Sequence, residues 1–161
     1  MLYCDWEKRD SLLVTHEQFT DDLENAYKEL RRWGIENRKA NYFLPPYEWY
    51  NDSIAFWTNQ MGLQLVNFTP GTRSNADYTY PKMGSKYLSS DSIFNSILNY
   101  ELRSNNGLNG FILLMHIGTD PWRTDKFYKH LPALIRKLES RGYRFETIDE
   151  MLKRENCKND L

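Results

Sequence analysis

Long apolar runs are missing from this sequence. No window approaches the ~18 consecutive apolar residues of a membrane-spanning helix, so no membrane partner is expected. The opening stretch Met1-Leu2-Tyr3-Cys4-Asp5-Trp6-Glu7-Lys8 lacks the apolar core of a signal peptide. As written the chain reads as cytoplasmic; a start further upstream would leave room for an export signal and a cell-envelope or secreted location. Cysteine is scarce as well. Cys4 and Cys157 lie near opposite ends and match neither a zinc-ligand spacing nor a disulfide framework. Nor is there an excess of charge of one sign: 21 basic and 22 acidic residues are interspersed and sum to -1, which argues against a nucleic-acid partner. Histidine is limited to three residues, and His16 and His130 have no neighbour at ligand spacing.

What is present is a composition of 40% hydrophobic and 27% charged residues over 161 positions, the range of one soluble domain spanning 1–161. A chain of that size buries roughly 70% of the surface exposed when unfolded, enough for a core without disulfide staples. Aromatic residues reach 15%, with 11 Tyr and 5 Trp in an otherwise polar chain. Such rings serve either as core or as faces on which the C–H groups of a pyranose pack.

The pattern along the chain predicts alternating helices and strands. Thr15 and Gln18 have the spacing of a capping box, and Phe19, Leu23, Ala26, Leu30 and Trp33 recur at helical spacing up to Gly34. Ala40–Leu44 is expected as a strand stopped by Pro45-Pro46. Asn51 or Asp52 is placed to cap a helix closed by Gly62, and Leu63–Phe68 is expected as a strand. The aperiodic stretch Thr69–Ser89 is long for a loop in a compact domain, which points to a functional segment or a solvated insertion. A third helix should start at Ser90 or Asp91, with Ile93, Ile97, Leu98 and Leu102 on one face. Gly110–Ile117 is the longest apolar run and suits a central parallel strand buried on both faces. A helix from about Thr124 to Gly142, a short strand Tyr143–Phe145 and a helix capped at Thr147 complete the order. The expected class is therefore α/β, built of parallel βαβ units. Four strands are too few to close a barrel, which leaves a small open sheet or part of a barrel without its first strands.

Reacting groups in parallel α/β folds gather where strands end, here after Leu44, Phe68 and Met115. Those positions carry Leu44-Pro45-Pro46-Tyr47 and Leu114-Met115-His116, and the chain closes with Gly142-Tyr143-Arg144-Phe145-Glu146-Thr147-Ile148-Asp149-Glu150. In these stretches the sequence resembles the C-terminal portion of the polysaccharide deacetylases, carbohydrate esterase family four. Their motifs are Arg-Pro-Pro-Tyr, Leu-x-His, and a Gly-Tyr ending followed by Phe and Thr-x-x-Glu. The resemblance covers the first helix to about Leu152. It implies part of a distorted (β/α) barrel and hydrolysis of acetyl groups on a sugar polymer by a metal-activated water. It further implies His116 as general acid, the backbone N–H of Tyr47 as oxyanion donor, and Leu114 as a wall of the acetyl pocket. Pro46, Trp49, Asp77 and Tyr78 would border an acetylated polysaccharide or oligosaccharide. Asp77-Tyr78 is the nearest counterpart of the family's Asp-Trp motif, and Asp77 stands either as a solvated loop residue or as a partner of His116. His116 itself is either that acid or a packed core histidine.

The sequence also departs from the family. Leu44 occupies the place of the arginine before Pro-Pro-Tyr, and no Asp-Asp or His-x-x-x-His motif precedes the first helix. The resemblance implies a divalent metal, zinc or similar, for the complete family domain; none is expected for this chain, which would carry the substrate side of the barrel without the metal side. Two other functions compete: a non-catalytic carbohydrate-binding remnant in which Tyr47, Trp49, Tyr50 and Tyr78 contact sugar, and an interaction domain. The unpaired edge of the Ala40–Leu44 strand would favour self-association.

Overall fold

The first helix, α1, runs His16–Arg32 because both halves of its capping box close: Gln18 N donates to Thr15 Oγ1, and Thr15 N donates to Gln18 Oε1. In this computed structural model, residues 1–36 and 41–159 are described, the last five as helical backbone alone. Ala40 and the Cys157 side chain lie outside that description. The chain divides into two units, Met1–Asn67 and Phe68–Leu161.

The first unit is a small βαβ element. Strand β1, Tyr42–Phe43, pairs in parallel with β2, Gln64–Leu65, in the register Tyr42 to Gln64 and Phe43 to Leu65. Helix α2, Asp52–Gln60, connects them and starts at Asn51, whose side chain accepts from Ile54 N. Phe19 and Leu23 of α1 and Ile54 of α2 bury their apolar side chains with Tyr3, Val14 and Leu63. The strands are shorter than the expected five and six residues. β1 ends at Phe43, just ahead of Pro45, which has no N–H to offer a ladder.

The second unit holds three helices: α3, Ser90–Arg103; α4, Leu131–Glu139; and α5, Ile148–Asn159. Ile93 and Ile97 of α3 pack with Leu134 and Leu138 of α4 and with Ala76, Leu108 and Phe127. Leu102, expected on the same face of α3, is exposed. Ser89 caps α3 rather than Ser90 or Asp91, since Ser90 is drawn elsewhere: its N–H and hydroxyl both donate to Asp125. α4 begins later than expected, after a 3-10 turn at Phe127–His130. Pro132 needs a first-turn position where its missing N–H costs nothing.

The chain is thus a mixed α/β protein with one small parallel sheet among the described residues. The expected central strand and the strand at Tyr143–Phe145 join no ladder. A run buried on both faces needs paired strands at its edges, and 111–116 instead meets Thr69. Thr69 N donates to Ile112 O, and Ile112 N turns to the Thr69 hydroxyl. The segment is half-buried throughout, with Phe111, Leu113 and Met115 against the α3–α4 core. That alternation leaves Ile112, Leu114 and His116 off the core side.

Candidate functional site

His116 lies where the half-buried run leaves the α3–α4 core, and its partner comes from the long loop. Residues 74–78 of that loop form a 3-10 turn, entered through Arg73 in the left-handed region at φ 59°. The turn is pinned from within: Thr79 Oγ1 donates to Ala76 O at 2.6 Å and accepts from Leu88 N at 3.2 Å, and Ser74 N donates to Thr72 Oγ1. Asp77 sits in this turn with no exposed surface. It is therefore a buried partner of His116 and not a solvated loop residue.

Both carboxylate oxygens of Asp77 meet His116. The His116 backbone N–H donates to Oδ2 at 2.7 Å, and Nδ1 lies 2.6 Å from Oδ1. A carboxylate only accepts, so Nδ1 carries the proton in this contact. The imidazole is thereby held in one tautomer and one orientation. The side chain keeps 31% of its surface exposed, unlike a packed core histidine. Tyr78 sets its ring edge against it, with centroids 5.9 Å apart at 75°, and is itself half exposed. An oriented, partly accessible imidazole on a buried carboxylate is suited to general acid or base work.

The remaining expected residues fall in two groups. Leu114 is half-buried two residues before His116. Pro46, Tyr47 and Trp49 belong to the first unit, where Pro46–Glu48 makes a 3-10 turn. Tyr47 and Glu48 both take positive φ there, 59° and 56°, a conformation costly for residues with a side chain. Asn67 Nδ2 holds the turn by donating to Glu48 O. The Tyr47 ring is 64% exposed and meets Trp6 edge-on, while Trp6 lies tilted against Trp49 at 5.4 Å. Trp49 is fixed by its indole N–H, which donates to Asp5 O, and by the Arg9 guanidinium 4.7 Å above its ring.

Trp6 and Arg9 carry no signal in the sequence, since the rings they meet, Tyr47 and Trp49, lie far along the chain from them. Arg123 and Asp125 escape detection for a similar reason: burial of an arginine is set by tertiary structure alone. The cleft elsewhere in the second unit, of ≈ 310 Å³, is lined by Phe111, Tyr143, Arg144 and Glu146 and does not include His116.

The resemblance implies a divalent metal. Among the described residues no three His, Cys, Asp or Glu side chains come together to hold one, so those residues do not fit that ion. Comparison with models of protein families finds no match, and a search of curated proteins finds none.

Proposed function

We propose that the chain is the substrate side of a polysaccharide-deacetylase-like hydrolase, a segment of a distorted (β/α) barrel whose complete form removes acetyl groups from a sugar polymer. The observation that carries this reading is the Asp77–His116 pair at the end of the Leu114-Met115-His116 stretch. In the proposal, Nε2 of His116 gives its proton to the leaving amine or alcohol as the acetyl carbon–heteroatom bond breaks. Asp77 holds the ring and stabilises its cationic form beforehand. Tyr78 forms a wall beside it.

Titration of N-acetylglucosamine oligomers into the 161-residue chain, followed by NMR, tests the substrate side. His116 and Tyr78 resonances should move, and no movement at millimolar oligomer would remove the reading. In a complete domain containing this segment, His116→Ala should lower acetate release ~100-fold or more. Unchanged turnover would remove the acid.

A second reading, sugar binding without catalysis, draws support from the exposed rings of Trp6 and Tyr47. It predicts that Tyr47→Ala weakens oligomer binding while His116→Ala does not, and that acetylated and deacetylated oligomers bind alike.

A further inference from the structure

The least expected side chain in the second unit is Arg123, which has no exposed surface. Its Nη1 donates to Thr79 O at 2.5 Å and to Leu88 O at 2.9 Å, and its Nη2 donates to Ser90 Oγ at 3.0 Å. The guanidinium faces the ring of Tyr87 at 5.6 Å and the carboxylate of Asp125 at 3.5 Å. As a stabilising device this is poor. Among the described residues the Nε–H finds no acceptor, the counter-ion contact is long, and a buried cation must offset several kcal/mol of lost hydration. Apolar packing would serve stability as well or better.

The connectivity gives the arrangement another role. Arg123 is seven residues after His116, and Thr79 is two residues after Asp77. The bond between them closes a ring: from His116 along the chain to Arg123, across to Thr79, back to Asp77, and through the carboxylate to His116. The intervening segment has little slack. Arg123 N donates to Asp120 O, and Lys126 Nζ donates to Thr119 O, Thr119 Oγ1 and Asp120 O. Asp125 anchors the far side on Ser90.

We infer that Arg123 is a positioning residue for His116, holding the Asp77 turn and the His116 segment together so that the imidazole stays in its Nδ1–H tautomer. The inference deepens the deacetylase-like reading and rests on it for its catalytic meaning, though not for its geometry. Lysine at this position keeps the charge but lacks the planar fork that reaches three acceptors at once.

The test uses the 161-residue chain, with nitrogen NMR of the His116 ring at alkaline pH and thermal unfolding in parallel. Arg123→Lys should convert His116 from the single Nδ1–H form to a mixture and speed solvent exchange of that proton at least ~5-fold, the scale of one ordinary hydrogen bond. Ser90→Ala, which removes one acceptor and leaves Arg123 in place, should give a smaller change in the same direction and keeps the test open if the lysine variant fails to fold. Leu138→Ala, a loss of core packing in the same unit, should lower the melting temperature without altering the tautomer. An unchanged tautomer in Arg123→Lys, or in Ser90→Ala should the lysine variant not fold, would overturn the inference, as would an equal change in Leu138→Ala. If the tautomer responds as stated but N-acetylglucosamine oligomers leave His116 undisturbed, the positioning role stands and the deacetylase-like reading falls.

Discussion

At His116 the neighbour that sets the chemistry is Asp77, since a carboxylate accepts at both oxygens whereas an amide both accepts and donates. Asp77→Asn preserves shape but allows the amide nitrogen to face Nδ1, which would then have to give up its proton. His116 is expected to switch to the Nε2–H form, visible in its ring nitrogen shifts, and turnover in a complete domain should fall by ~100-fold or more. Retention of the Nδ1–H form would show that Asp77 does not govern the ring. A second prediction at this scale separates strain from collision. Gly107 and Gly142 both have positive φ, 57° and 91°, but a methyl group at Gly142 meets open space while one at Gly107 runs into the Tyr143 hydroxyl. That hydroxyl accepts from Leu108 N and lies 3.4 Å from Glu101, so it is not free to yield. Gly142→Ala should cost about 1–2 kcal/mol from backbone strain. Gly107→Ala should cost a further 1–3 kcal/mol or so from overpacking, read as a lower midpoint in denaturant. Equal losses would show that Tyr143 moves aside.

At the scale of elements, helix α5 carries its own pH dependence. Thr147 N and Oγ1 donate to Glu150 Oε2 at 3.0 and 2.9 Å, and Glu150 N donates back to Thr147 Oγ1. The backbone N–H of Thr147, foremost, and its hydroxyl hold the Glu150 carboxyl below the usual glutamate range. A depressed folded value means that the cap contributes fully above the unfolded value of ~4.3 and is lost as pH falls through the folded one. Acidification below ~4 should therefore fray the first turn of α5, seen as faster amide exchange at Met151. Glu150→Gln, still able to accept, should remove that acid-dependent step; if fraying persists in the variant, another group is responsible. This cap was legible in the sequence, as were Thr15 with Gln18 and Asn51, because a cap joins residues three apart and the local pattern contains all of it. The run 111–116 was not. Its apolar character is real, but a strand is defined by what lies beside it, and Ile112 bonds to Thr69 over 43 residues of separation. Asp77 was legible as a candidate and illegible as buried, since the aperiodic stretch around it gives no sign of the 3-10 turn that carries it inward.

For the whole molecule the question is where a catalytic ion could bind, and it turns on three histidines. His16 lies in α1 with its ring 5.0 Å from that of Trp57. His130 stacks on Phe127 at 7° and has Asp91 at 3.8 Å, whereas His116 is turned onto Asp77. A catalytic zinc takes three protein ligands at roughly 2.0–2.3 Å with a fourth position open, and among the described residues no three His, Cys, Asp or Glu side chains come together. Cys4 adds nothing. It is buried, and burial, foremost, pushes its thiol away from the thiolate that a metal needs. The 161-residue chain, stripped of metal and dialysed against micromolar zinc, cobalt or nickel, should therefore retain less than one ion per molecule, and with those ions present should release no acetate from N-acetylglucosamine oligomers. The same preparation should still show His116 in its Nδ1–H form, because the Asp77 carboxylate that faces Nδ1 at 2.6 Å is a side chain of the same unit. Uptake of one ion per molecule together with acetate release would mean that ligands converge on binding from residues that stand apart in this structure. The first place to look would then be the carboxylates flanking the three histidines.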